Sequence, residues 1–115
     1  MKLAIIAGAA ELALRRHIGA LMPKPLKSWY VYIIRADDES LYTGITTNVY
    51  RRFQQHLNSK QGAKYFKGRR PEKIVYIEEG HDRSSASKRE AEIKSFSREK
   101  KLVIISQAKS AKSLG

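Results

Sequence analysis

LYTGITTNVYRRFQQH, residues 41–56, decides how this chain is read. A strand-like LYTGI runs into an Asn and then into a basic, amphipathic helical pattern. Asn48 suits a helix N-cap, because its side-chain oxygen can accept from a backbone N–H left unpaired in the first turn. Val49, Phe53 and Leu57 recur at i, i+4 and i+8 and predict the apolar stripe of a helix reaching about Asn58. Arg52 and His56 are four apart and stand one above the other. Each lies about 100° round the helix from the stripe residue that follows it. From that edge a side chain can reach a cleft beside a sheet; taken alone, the pair reads as a solvated Arg and a surface His.

Upstream, SWYVYIIR (28–35) is a β-branched and aromatic run that predicts a strand. ADDES (36–40) is turn chemistry, so the two strands form an antiparallel hairpin. Alternation puts Tyr30, Tyr32 and Ile34 on one face of the first strand and Trp29, Val31 and Ile33 on the other. Tyr42 and Gly44 share a face of the second. The hairpin can join the Tyr32 and Tyr42 faces, with the register left open.

Downstream, KQGAKYFKGRRP (60–71) is a loop carrying Lys60, Lys64, Lys67, Arg69 and Arg70 with no acid before Glu72. Tyr65 and Phe66 lie among these cations, a mixture suited to phosphate contacts and stacking on unpaired bases. PEKIVYIEEG predicts a third strand from about Lys73 to Glu79, ended by Gly80. Asp82 or Ser84 starts a second helix through SASKREAEIKSFS. On that helix Ala86, Ile93, Phe96 and Ser97 share one side and Glu90 falls among them, whereas Glu92 does not. An inward carboxylate is costly unless paired, hydrogen-bonded or metal-bound, so Glu90 needs a reason. The tail REKKLVIISQAKSAK permits strand or helix. A compact α+β domain follows, with helices covering a small, largely antiparallel three-stranded sheet.

The whole chain has 115 residues and a formal net charge of +12. That length holds one core, and that charge suits a polyanionic partner such as nucleic acid. Cysteine is absent, which removes disulfides and thiolate metal sites and fits a reducing compartment. No apolar run approaches the roughly 18 residues of a bilayer span. The N-terminal MKLAIIAGAAELALRRHIGALMPKP makes a poor signal peptide, since its apolar region is short. Pro23 and Pro25 mark a boundary, and Met22 offers a second start. Residues 1–27 are therefore expected to be an extension, 28–105 the working domain and 106–115 a basic flexible tail.

Taken together, WYVYII, LYTGIT, RRFQQH and REAEIK, in that order, resemble the GIY-YIG nuclease superfamily, in particular its small stand-alone bacterial members. Ten positions separate Tyr32 from Tyr42, and ten more lead to Arg52. Tyr30 stands where the first Gly of the motif would be, Thr43 replaces its second Ile, and Lys101 and Leu102 occupy the neighbourhood of a polar Asn found in several members. The resemblance implies a β-β-α-β-α-α order, with helix in the tail. It further implies hydrolysis of phosphodiester bonds in DNA, more than in RNA, by a cytoplasmic, monomeric endonuclease of repair or processing that uses one magnesium or manganese ion. In that scheme Glu90 holds the metal, Arg52 contacts the scissile phosphate, and Tyr32, Tyr42 and His56 orient or deprotonate water. Arg51, Lys64, Lys67, Arg69 and Arg70 bind the nucleic acid. A phenol ionises near 10 and an imidazole near 6.5, so His56 is the natural base unless cations or the metal stabilise a phenolate. The alternative is a nucleic-acid-binding module that keeps the fold without the reaction.

Overall fold

The computed structural model describes residues 27–58 and 60–114, with side chains as far as Lys109. The expected N-terminal extension and the second start at Met22 lie outside these residues. Three strands, β1 (Trp29–Ala36), β2 (Leu41–Thr46) and β3 (Pro71–His81), form one antiparallel sheet in the order β2-β1-β3. Helix α1 (Val49–Leu57) follows β2, while α2 (Arg83–Lys94) and α3 (Arg98–Leu114) follow β3. The architecture is the α+β one that the order of elements predicts.

The hairpin turns through Asp37 to Ser40. Glu39 adopts φ 66° there, a left-handed conformation that costs a non-glycine residue. It is held by Ala36 N–H donating to Ser40 O at 2.9 Å, and by the Arg98 guanidinium, which donates to Glu39 O at 2.8 Å. Asn48 caps α1 as expected, its Oδ1 accepting from Arg51 N–H at 3.0 Å.

Apolar side chains fill both faces of the sheet. On one face Tyr32, Ile34 and Ala36 pack with Val49 of α1 and with Phe66. On the other, Val31, Ile33 and Tyr76 pack with Ala86 and Ile93 of α2 and Ile105 of α3. Thus α1 and α2 cover opposite faces, and Ile105, at the ambiguous end of the sequence, belongs to a helical core residue set.

Three boundaries differ from expectation. Gly80 does not end β3: it takes φ 86°, and the register steps from Trp29↔His81 to Val31↔Glu78. One extra residue on β3 makes this a bulge, which Gly tolerates best. The second helix stops at Lys94 rather than continuing through Ser97, because Ser95 Oγ donates to Glu92 O at 2.6 Å. Ser97 then starts α3, its Oγ accepting from Lys100 N–H at 3.2 Å. Residues 106–114, expected as a flexible tail, continue α3.

The bulge has an energetic partner. In a regular strand residues 78 and 81 would face opposite ways; the inserted residue turns both toward α2. Glu78, only 3% exposed, accepts from Tyr76 Oη at 2.6 Å, His81 Nε2 at 2.6 Å and Arg89 Nε at 3.2 Å. Burial alone would raise its pKa, but these donors and the Arg89 charge outweigh it and hold the carboxyl below its usual range. Asp82 follows at once as the N-cap of α2, in a capping box with Ser85. Glu78→Gln should therefore lower the unfolding free energy by about 1.5–3 kcal/mol in urea denaturation. A loss under about 0.5 kcal/mol would mean that the network does not anchor α2.

Candidate active site

The β1–β2 register pairs Tyr32 with Gly44. A Cβ at Gly44 would stand 2.5 Å from Tyr32 Oη and 2.7 Å from its Cζ, so the phenol rests in space that only glycine leaves open. Tyr42 shares that face, its ring centroid 6.2 Å from that of Tyr32. From α1, His56 meets both: its Nε2 lies 2.8 Å from Tyr32 Oη, and its ring centroid 5.2 Å from that of Tyr42. Phe66 covers His56 at 4.8 Å and Tyr42 at 5.1 Å, and Tyr65 meets Tyr42 at 5.2 Å. These loop aromatics, predicted to stack on bases, instead turn inward and roof the cluster. Under them His56 is 2% exposed, a buried histidine and not a surface one.

Its hydrogen bonds define its tautomer. The backbone N–H of Ala63 donates to Nδ1 at 3.2 Å, so Nδ1 presents a lone pair. In the neutral ring the proton then sits on Nε2, and the 2.8 Å contact is Nε2–H donating to Tyr32 Oη. Burial, reinforced by the Arg52 charge, lowers the His56 pKa to about 4. Burial, with the adjacent Tyr42, raises that of Tyr32, against the opposing pull of Arg52. At neutral pH the imidazole is uncharged with both nitrogens engaged, and the Tyr32 phenol is protonated.

Arg52 is held from two sides. One terminal nitrogen donates to Gln55 Oε1 at 2.9 Å and to Gln61 O at 3.0 Å. Tyr32, Tyr42, His56 and Arg52 thus gather on the α1 face. Glu90 does not join them by contact: it sits on α2, across the sheet, and forms an ion pair with Lys94 at 3.2 Å. Helix α2 packs against β2 and β1. The Glu90 carboxylate is partly exposed and its partner Lys94 more so. No group of three or more His, Asp or Glu side chains gathers among the described residues. Glu90 alone offers one hard oxygen donor of the kind that magnesium or manganese takes.

Of the expected nucleic-acid cations, Arg51, Lys64, Lys67 and Arg70 are exposed. Arg69 is engaged internally, 3.3 Å from Asp38 and stacked 4.3 Å from the Tyr65 ring centroid. Sequence reasoning missed Glu78, which reads as one of two solvent-facing acids before Gly80; only the parity it shares with Tyr76 hinted otherwise.

Two phenols, an imidazole and a guanidinium thus gather beside a basic loop, in the kind of polar cluster that suits a phosphate. The chain belongs to the GIY-YIG family: the GIY-YIG catalytic domain matches residues 28–102. A UPF0213 protein of Desulfotalea psychrophila is 49% identical over 78 residues, covering 68% of this chain and 71% of the relative. One from Syntrophus aciditrophicus is 50% identical over 78 residues, covering 68% and 90%. The solution NMR structure of a UPF0213 protein from Bacillus halodurans is 42% identical, with TM-score 0.45, and covers 69% of this chain and 83% of that one. The family is one of nucleases and implies a nucleic-acid substrate. Among the described residues no helix is long and apolar enough to cross a membrane.

Two outcomes follow from this geometry. Gly44→Ala must displace the Tyr32 ring, an overpacking that should cost about 1–3 kcal/mol in thermal or urea unfolding, whereas an unchanged stability would show the ring free to move. Acidification is the second. A folded pKa near 4 against 6.5 unfolded means that the unfolded chain takes up the proton first. The contribution is fully present above pH 6.5 and is lost as pH falls toward 4, on the order of 3 kcal/mol in all. His56→Gln should flatten urea-measured stability across that window; an identical slope in both proteins would refute the assignment.

Proposed function

We propose that this chain is a divalent-metal-dependent endonuclease that hydrolyses DNA phosphodiesters, and the observation that carries the reading is the directed chain from Ala63 N–H through His56 to Tyr32, beside Tyr42 and Arg52. In hydrolysis a water attacks phosphorus and loses a proton, and the P–O bond to the leaving oxygen breaks. Arg52, pre-oriented by Gln55 and Gln61, pairs with the non-bridging phosphate oxygens as charge develops on them. His56 is not the base: both of its nitrogens are committed and its pKa is low. Its role is to donate to Tyr32. Tyr32, unable to donate back to His56, directs its own proton toward its remaining neighbours.

Tyr42, less buried than Tyr32, is the phenol that addresses the attacking water and accepts its proton. When bound at Glu90, magnesium or manganese supplies charge neutralisation at the phosphate and the leaving oxygen. Arg51, Lys64, Lys67 and Arg70 hold the flanking backbone. The reading extends to a cytoplasmic, monomeric enzyme acting on DNA intermediates of repair or processing, and it rests for those points on composition and family resemblance.

Purified protein, incubated with single-stranded, duplex and branched DNA and the matching RNAs, should cleave DNA with magnesium and stop on adding EDTA. Glu90→Gln and Tyr42→Phe should each slow cleavage by about 100-fold or more while binding persists in gel shift. Tight binding without cleavage across substrates and metals would overturn the enzyme in favour of a binding module of the same fold. Replacing Lys67 by Ala should reduce the slope of log affinity against log salt by about 1; an unaltered slope would remove Lys67 from the phosphate contacts.

A further inference from the structure

The segment Gln61–Ala63 approaches the back of α1 more closely than a loop needs to. A Cβ on Gly62 would stand 2.8 Å from His56 Cα, 2.9 Å from Gln55 O and 3.2 Å from His56 O. All three are backbone atoms, so no rotamer change relieves the clash. Gly62 does not occupy the left-handed region; what it provides is room. Its neighbours use the closeness: Gln61 O accepts from Arg52 at 3.0 Å, and Ala63 N–H donates to His56 Nδ1 at 3.2 Å. Further along, Phe66 N–H donates to Ala63 O at 3.0 Å and closes the turn that carries the aromatic roof. One short backbone stretch therefore touches both functional side chains of α1, using main-chain groups only.

We propose that Gly62 and Ala63 are positioning residues, whose backbone clamp on α1 selects the Nε2–H tautomer of His56 and orients the Arg52 guanidinium. The inference rests on the nuclease reading for its effect on rate, but the tautomer belongs to the free protein. An imidazole without the clamp would have a choice. With the proton on Nδ1, Nε2 would accept from Tyr32, and the donor chain toward Tyr42 would run backwards. The Ala63 N–H removes that choice by occupying Nδ1 as a donor. Gly62 is required because a side chain there would push the segment off α1 and lengthen a bond already at the long end of the normal range.

Ala63 offers a clean test. Its φ is −67° with ψ 151°, the conformation that proline adopts by itself. Ala63→Pro thus deletes the N–H with little strain at residue 63, whereas Ala63→Ser keeps it. The tautomer is read by nitrogen-15 NMR of the imidazole in the full chain at neutral pH. Wild type and Ala63→Ser should show protonated Nε2 and bare Nδ1. Ala63→Pro and Gly62→Ala should populate the Nδ1–H form, and their kcat on DNA should fall at least about tenfold, with KM within about twofold. A protonated Nδ1 in wild type, or an unchanged tautomer in folded Ala63→Pro, overturns the clamp. Should Gly62→Ala fail to fold, Ala63→Pro alone decides. A tautomer that switches as expected in a wild-type background that cleaves nothing would sustain the clamp and overturn the nuclease.

Discussion

The architecture of this site depends on an absence, the missing Cβ of Gly44. With that space open, Tyr32 lies flat across the outer strand and its hydroxyl comes within reach of α1. Everything around it is then constrained in turn. His56 enters as a neutral donor, because burial disfavours its charged form and the Ala63 N–H occupies its Nδ1. The loop after α1 must fold back far enough to occupy its other nitrogen and to lay Phe66 over it. Desolvation runs through all of these steps: it keeps the imidazole uncharged and the phenol protonated, which makes the direction of the hydrogen bonds definite.

Much of the framework was legible in the sequence, for physical reasons. Alternation in WYVYIIR and LYTGI assigned faces correctly, because a two-residue period leaves little freedom. Asn48 announced a helix start through its side chain alone. The tail was locally ambiguous, since LVII suits strand or helix, and family likeness pointed to the helix that is seen. The bulge at Gly80 was not legible: a glycine beside acids looks like a terminator, and only strand pairing shows that the chain continues. For the same reason Glu78 went unnoticed, since the residues that satisfy it are distant in sequence or turned toward it by the bulge.

The site was legible in part. Helical spacing put Arg52 and His56 on a common edge, yet could not say what would cover that edge. Phe66 covers His56, yet it looks like a nucleic-acid contact when counted as an aromatic among lysines. Arg69 misleads similarly, for its charge is spent on Asp38 and its plane on Tyr65. Composition registers how many cations a loop holds; it does not register which of them the protein uses to hold itself together.

Glu90 and the phenols are carried on opposite faces of one three-stranded sheet, each anchored in its own apolar half. On the proposed reading, an apparatus divided in this way has two separable sets of constraint. Repacking beneath α2 can alter the grip on a cation while leaving the polarity of the imidazole–phenol chain untouched, and changes in the roof over α1 can do the reverse. The sheet is then a partition as much as a scaffold. Its outer strand is the shared border, and one residue of it must remain bare.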